Sequence, residues 1–285
     1  MAMTFFNPIH LDNAVRAALD EDLGRAGDVT TLATIPAGTR ATAVMALRKP
    51  GVVCGIPVAE AAFRAIDPTL KFEHLAEDGE HILGNRALVA RVSGDARAIL
   101  TAERLALNYM CHLSGIATMT ARYVALVAHT NAKICCTRKT TPGLRALEKY
   151  AVRAGGAMNH RFGLDDAILI KDNHIAVCGG IRQALRAAKK SAGHLVKIEI
   201  EVDTLDQLRE VLDEGADYCL LDNMNTAQMR EAVKIAGGRV KLEASGGVNA
   251  ETVKAIAETG VDLISSGALT HSAPILDVGL DIEIG

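Results

Sequence analysis

The sequence holds no tryptophan, and only 3% of its 285 residues are aromatic. Its core must therefore be aliphatic, which suits parallel strands covered by helices. Rows of stacking platforms for single-stranded nucleic acid are excluded. An excess of either charge is missing too: 31 Lys and Arg stand against 34 Asp and Glu, a net of -3, so no strongly basic face is offered to a nucleic acid. The six cysteines (Cys54, Cys111, Cys135, Cys136, Cys178 and Cys219) show neither C-x-x-C nor Cys/His ligand spacing. They read as reduced core residues rather than zinc ligands or disulfide partners. No segment approaches the roughly 20 apolar residues of a membrane span. The opening MAMTFFNPIH lacks a basic stretch followed by a long apolar one. A soluble, cytoplasmic protein with neither a nucleic-acid nor a membrane partner is the expectation.

What is present is one basic segment in a slightly acidic chain. Between Thr137 and His174, Arg138, Lys139, Arg145, Lys149, Arg153, Arg161 and Lys171 outnumber Glu148, Asp165, Asp166 and Asp172, with His160 and His174 among them. The cations do not form a run, which would suggest a solvated tail. They fall at the edges of expected elements, where side chains can converge on one small polyanion. Lys133 to Thr137 reads as a buried strand ending at Arg138-Lys139. Thr141-Pro142 looks like a helix start, and the helix stops at Gly155-Gly156. Ala167 to Ile170 is a second strand, followed by Lys171. Arg145, Lys149 and Arg153 recur every four residues and are expected to form a solvated helix face.

The flanks differ in rhythm. Residues 1–115 read as a mixed α+β domain. It has a helix from Leu11 to Leu23, a turn at Gly27 to Thr31 and short strands at Ala41 to Ala46, Val52 to Cys54 and Ala87 to Val92. A helical pattern follows, in which Arg104 by itself reads as a solvated surface charge. Residues 116–285 alternate strand and helix, with strands centred on Cys135, Ile168, Ile198, Leu220, Leu242 and Leu263. Each interval holds one crossover helix, and Thr204 with Gln207 forms a capping box for one of them. Six such units fall short of a closed eight-stranded barrel. An incomplete α/β barrel of parallel strands, preceded by the α+β domain, is the expected architecture, with a doubly wound sheet as the alternative.

The expected strand ends carry the chemistry. In order they are Arg138-Lys139, Lys171, Glu201, Asp222, Ser245-Gly246-Gly247 and Ser266-Gly267, and in α/β barrels active sites form on that rim. Glu199 and Glu201 alternate with isoleucines and share one strand face. Glu199, if buried, needs a cationic neighbour such as Lys197 or Lys171. Glu201 and Asp222, on successive strands, could jointly hold Mg2+, directly or through water. The two glycine turns let backbone N–H groups approach phosphate closely. Together these features suggest a phosphorylated sugar bound with Mg2+ beside a second anionic substrate.

The chain also resembles the quinolinate phosphoribosyltransferases. The matching stretches are Ala18 to Leu23, Glu103 to Asn108, Ser114 to Thr118, Thr137 to Arg145, Asn159-His160-Arg161, Leu169 to His174, Glu199 to Glu201, Leu221 to Asn223, Ala244 to Gly247 and Ser266 to Thr270. They follow one another in order along nearly the whole sequence. One departure is Gly155-Gly156-Ala157, where the family usually has three glycines. The resemblance implies transfer of phosphoribosyl from phosphoribosyl pyrophosphate to quinolinate with loss of CO2, assisted by Mg2+. It implies a quinolinate pocket of Arg104, Arg138 and Arg161 with His160, Lys139 and Lys171, and Thr137 as a further substrate-binding residue. Lys139, Lys171, Ser245, Gly246, Gly247, Ser266, Gly267 and His271 would meet phosphates. Lys139, Lys171, Glu201 and Asp222 would serve catalysis, Glu201 and Asp222 also holding the metal. It further implies a homodimer with shared active sites, Arg104 acting on the partner subunit, and leaves larger assemblies open. Two other readings stand beside it: a Schiff-base enzyme using Lys171, and a repurposed homologue of the molybdenum-transport-associated type.

Overall fold

A computed structural model describes residues 8–283. The helices are α1 (Pro8–Leu23), α2 (Val29–Thr34), α3 (Ile56–Ile66), α4 (Ala96–Val127), α5 (Arg145–Ala154), α6 (Asp172–Cys178), α7 (Ile181–Ser191), α8 (Leu205–Glu214), α9 (Thr226–Ala236), α10 (Val253–Ala257) and α11 (Ala268–His271). The strands are β1 (Arg40–Leu47), β2 (Gly51–Val52), β3 (Lys71–His74), β4 (His81–Ile82), β5 (Ala87–Asp95), β6 (Lys133–Cys135), β7 (Ile168–Ile170), β8 (Ile198–Val202), β9 (Tyr218–Asp222), β10 (Lys241–Ser245), β11 (Leu263–Ser265) and β12 (Val278–Glu283).

Two compact units interleave along the chain. The first gathers the chain up to Ala121, Thr141–Gly156 and the chain from Ser272 onward; the second takes Arg122–Thr140 and Ala157–His271. Residue 115, where the sequence changes rhythm, falls inside the continuous helix α4.

The first unit is built on an antiparallel sheet in the order β12–β1–β5–β3. Alternation along β1 buries Ala41, Ala43 and Met45 on one face. The last strand, β12, pairs with β1 from the far end of the chain, a non-local pairing that no local pattern announces. Gly27 to Thr31, expected as a turn, instead opens α2: the Asp28 carboxylate accepts the Thr31 N–H at 2.9 Å and caps it. Asp78 does the same for α3, accepting the N–H groups of Gly55 and Ile56, and it also receives the Tyr150 hydroxyl at 2.7 Å.

That last bond ties α5 into the first unit. The helix starts later than Thr141-Pro142 suggests, because Gly143 sits at φ +81 and holds Thr141 to Leu144 in a turn. Leu147 to Val152 are all buried, so the expected solvated face is not one: Lys149 is 2% exposed, while Arg153 is open to water. Glu148 is fully buried, bonded to the His112 ring at 3.0 Å and accepting the Thr141 N–H at 3.1 Å. Ala157, replacing a third glycine, is buried but does not adopt positive φ, so no left-handed strain attaches to it.

The second unit is a six-stranded parallel sheet in the order β6–β11–β10–β9–β8–β7. Its first strand pairs with its last, and the others follow in chain order. A doubly wound sheet would reverse its strand order part-way; this order instead curls the sheet into a barrel, left open between β6 and β7. Met158 makes a single parallel bridge to Cys135 at the edge of that opening. All six expected strands form. Thr204 and Gln207 make the expected capping box at α8. Asn225 and Gln228 repeat it at α9.

Candidate active site

The carboxyl ends of the six parallel strands surround a cavity of about 800 Å³. Thr137, Arg138, Lys139, His160, Arg161, Lys171, Glu201, Asp222, Ser245, Gly246, Gly247, Ser266, Gly267 and His271 all line it. Every site residue expected in the second unit is therefore gathered in one place. Arg104 lies exposed on α4 in the first unit.

On one wall stand two guanidinium groups. Arg161 donates through Nη1 to the Ala167 carbonyl at 3.1 Å. Burial and the neighbouring Arg138 charge push its pKa down, although a guanidinium stays protonated. The Nε–H groups of Arg138 and Arg161 are both buried without an acceptor. Two partly buried cations side by side with unused donors are costly unless an anion joins them.

Two other strand ends in the lining are acidic. Glu201 and Asp222 end adjacent strands. Burial raises the Glu201 carboxyl, and Asp222 adds to it, while the Lys171 ammonium, 3.1 Å away, pulls it down. Burial and the Asp203 charge raise Asp222 against the pull of Lys171 and Lys139. Lys171 is thus the partner of Glu201, and Lys197 pairs with Asp217 at 2.6 Å. Neither serves Glu199. Its partner is His160, whose Nε2 lies 2.9 Å from Glu199 Oε2. The chain turn through Asn159 brings that ring over the barrel interior, which strand alternation alone did not reveal.

The glycine turns after β10 and β11 complete the lining. Gly246 has φ +90, and a Cβ there would collide with the Asn223 side chain. A Cβ on Gly267 would come within 2.9 Å of Lys139 Cδ and 3.0 Å of His271 Nε2, so these three positions meet closely. The Thr270 hydroxyl fixes the Lys139 carbonyl at 2.7 Å.

Sequence reasoning passed over several lining residues, Asn223 and Glu243 among them. Asn223 stands at φ 52, its amide donating to Asp222 at 2.7 Å and its backbone N–H to the Ser245 carbonyl at 3.0 Å. An Asn directly after a strand-end Asp, with its tolerance of left-handed backbone, was the available signal. Glu243 faces the barrel interior from β10, 2% exposed. The alternation of Lys241-Leu-Glu-Ala-Ser245 repeats that of Lys197 to Glu201 and pointed to it.

A parallel barrel with cations, paired carboxylates and glycine turns at its strand ends defines an enzyme class acting on phosphorylated, anionic substrates. The comparisons narrow this. A model of the quinolinate phosphoribosyl transferase C-terminal domain matches residues 116–281, and one of the N-terminal domain matches residues 28–114. A nicotinate-nucleotide pyrophosphorylase [carboxylating] of Mycobacterium leprae is 48% identical over 275 residues, 95% of this chain and 96% of its own. A probable enzyme of the same name from Bacillus subtilis is 42% identical, covering 98% and 95%. The solved nicotinate-nucleotide pyrophosphorylase of Francisella tularensis superposes with a TM-score of 0.94 at 38% identity, over 99% of each chain. The chain belongs to the quinolinate phosphoribosyltransferase family.

Proposed function

We propose that the chain transfers phosphoribosyl from phosphoribosyl pyrophosphate to the ring nitrogen of quinolinate, releasing pyrophosphate and CO2 and forming nicotinate mononucleotide, a step of de novo NAD synthesis. The observation that carries this reading is the convergence of Arg138, Arg161, Lys139 and Lys171 on one cavity. Forked guanidinium donors match a planar dicarboxylate. A monocarboxylate would bring only one negative charge to these four cations.

Lys139 and Lys171 add positive charge to this pocket, and His160 forms its wall. The Ser245 to Gly247 turn, Ser266, Gly267 and His271 suit phosphate groups, with Thr137 at the mouth of the first strand. Glu201 and Asp222 supply hard oxygen ligands on adjacent strands, each carboxyl raised by burial and nearby acid charge, a donor set that fits Mg2+. Such an ion would neutralise the leaving pyrophosphate. As the C–O bond to pyrophosphate breaks, positive charge grows on the ribose, and a nearby carboxylate stabilises it. The alkylated pyridinium then draws in the electron pair of the breaking C–C bond. CO2 leaves, and a proton takes its place on the ring.

A homodimer in which Arg104 reaches the partner's site, and a cytoplasmic setting, belong to the same proposal. Among the described residues no helix is long and apolar enough to cross a membrane.

The test is an assay with quinolinate, phosphoribosyl pyrophosphate and Mg2+, with nicotinate as the control. Nicotinate mononucleotide and CO2 from quinolinate, and no product from nicotinate, are expected. Turnover of nicotinate at an equal rate would overturn the dicarboxylate reading.

A further inference from the structure

Below the strand ends, a smaller cavity of about 190 Å³ reaches into the barrel, with His160, Arg161, Glu199 and Glu243 among its lining. Glu199 is 7% exposed and Glu243 2%. His160 Nε2 lies 2.9 Å from Glu199 Oε2 and 3.6 Å from Glu243 Oε1. No donor reaches Glu199 Oε1 or Glu243 Oε1. Two carboxylates this close and this dry are not both ionised without a large cost. A proton kept on Glu243 removes that cost and provides the missing donor. Burial first, and the Glu199 charge second, raise the Glu243 carboxyl, and oxygens of the two carboxyl groups lie within 4.8 Å of one another and of the His160 ring.

The imidazole completes the pattern. The Arg161 backbone N–H donates to His160 Nδ1 at 2.8 Å. Nδ1 therefore offers its lone pair, and the ring proton sits on Nε2, facing Glu199; this tautomer follows from the hydrogen-bond network. Each link then has one donor and one acceptor. Glu243 O–H donates to Glu199, His160 Nε2–H donates to Glu199, and Arg161 N–H donates to His160 Nδ1. A metal ion held through Nε2 would require a proton on Nδ1, against the Arg161 N–H.

We propose that Glu243 is a positioning residue of the quinolinate pocket: its carboxylic acid, through Glu199 and His160, fixes the backbone turn at Arg161 and so aims that guanidinium into the cavity. The inference rests on the function proposed above for the ligand, on close contacts for the links from Arg161 through His160 to Glu199, and on the closeness of two dry carboxyl groups for the link to Glu243.

Two variants separate the outcomes. Glu243→Leu removes the donor at similar size, and Glu243→Gln restores a neutral donor. Steady-state kinetics with each substrate varied should show KM for quinolinate raised about tenfold in Glu243→Leu and returned to within about twofold by Glu243→Gln, with KM for phosphoribosyl pyrophosphate unmoved. Nitrogen-15 spectra of labelled histidine in the substrate-free protein should show His160 as the Nε2–H tautomer in wild type and Glu243→Gln, and a displaced Nε2 resonance in Glu243→Leu. Equal damage from both variants would overturn the proposal, because it would mean that a charged carboxylate or a bound metal is needed. An unchanged KM for quinolinate in Glu243→Leu would overturn it as well. If Glu243→Leu does not fold, the Glu243→Gln kinetics and the wild-type spectrum decide. A wild-type protein inactive on quinolinate but with the Nε2–H spectrum would refute the assigned substrate and leave the hydrogen-bond chain standing.

Discussion

Lys171 Nζ stands 3.1 Å from Glu201 Oε2, joining the ends of two neighbouring parallel strands across the cavity wall. Burial raises the Glu201 carboxyl, and the hydrogen bond and charge of Lys171 hold it down. Lys171→Met removes the downward pull, so the carboxyl rises further and its ionised form is lost at a higher pH on acidification. The acidic limb of the kcat/KM profile for phosphoribosyl pyrophosphate should move to higher pH. A limb that stays in place would mean that Glu201 is not the group titrating there.

The two glycines of the β10 turn should respond differently to alanine. Gly246 has φ +90, and its Cβ would meet both the side chain and the backbone nitrogen of Asn223; Gly247 has φ +62 but open space around it. Gly247→Ala should cost about 1 kcal/mol, the strain of left-handed backbone alone. Gly246→Ala adds a clash with backbone and should cost about 2–4 kcal/mol in all. Urea unfolding of the two variants measures the difference, and equal losses would contradict the close approach of Gly246 to Asn223.

Arg138 and Arg161 predict a one-sided binding defect. Arg138→Ala should weaken quinolinate by about 10- to 100-fold, the range for a charge-assisted hydrogen bond. Phosphoribosyl pyrophosphate should lose far less. Calorimetric titration of each ligand distinguishes this from a general collapse of the cavity, which would weaken both alike.

Stability should carry a mark of Glu243. Its carboxyl is raised from 4.5 to about 7, chiefly by burial, so the native protein holds a proton that the unfolded chain has released. Its contribution is complete below pH 4.5 and is lost as pH rises through about 7. Glu243→Gln cannot lose that proton, and its melting temperature should fall less steeply over this window than the wild type's. Parallel curves would show that Glu243 does not titrate in the folded protein.

Much of this was legible in the order of residues. Apolar runs such as Ala167 to Ile170 and the alternation of isoleucine with glutamate from Lys197 to Glu201, spaced for one crossover helix each, marked the six parallel strands. The polar residues that follow those runs, from Arg138-Lys139 to Ser266-Gly267, marked the rim of the cavity before any contact was known. Strand alternation also put Glu199 and Glu201 on one face.

Tertiary structure decided the rest. The pairing of β6 with β11 made the sheet a barrel, and β12 joined β1 across most of the chain; both depend on contacts between distant residues, which local pattern does not encode. Lys149 reads as a surface charge at four-residue spacing, and only the burial of α5 on nearly all sides takes it from water. Glu199 needed a partner by the cost of burying charge, but its identity as His160 depended on where the turn before Arg161 set the imidazole. The order of residues determines what each side chain requires, and the folded chain decides which neighbour meets that requirement.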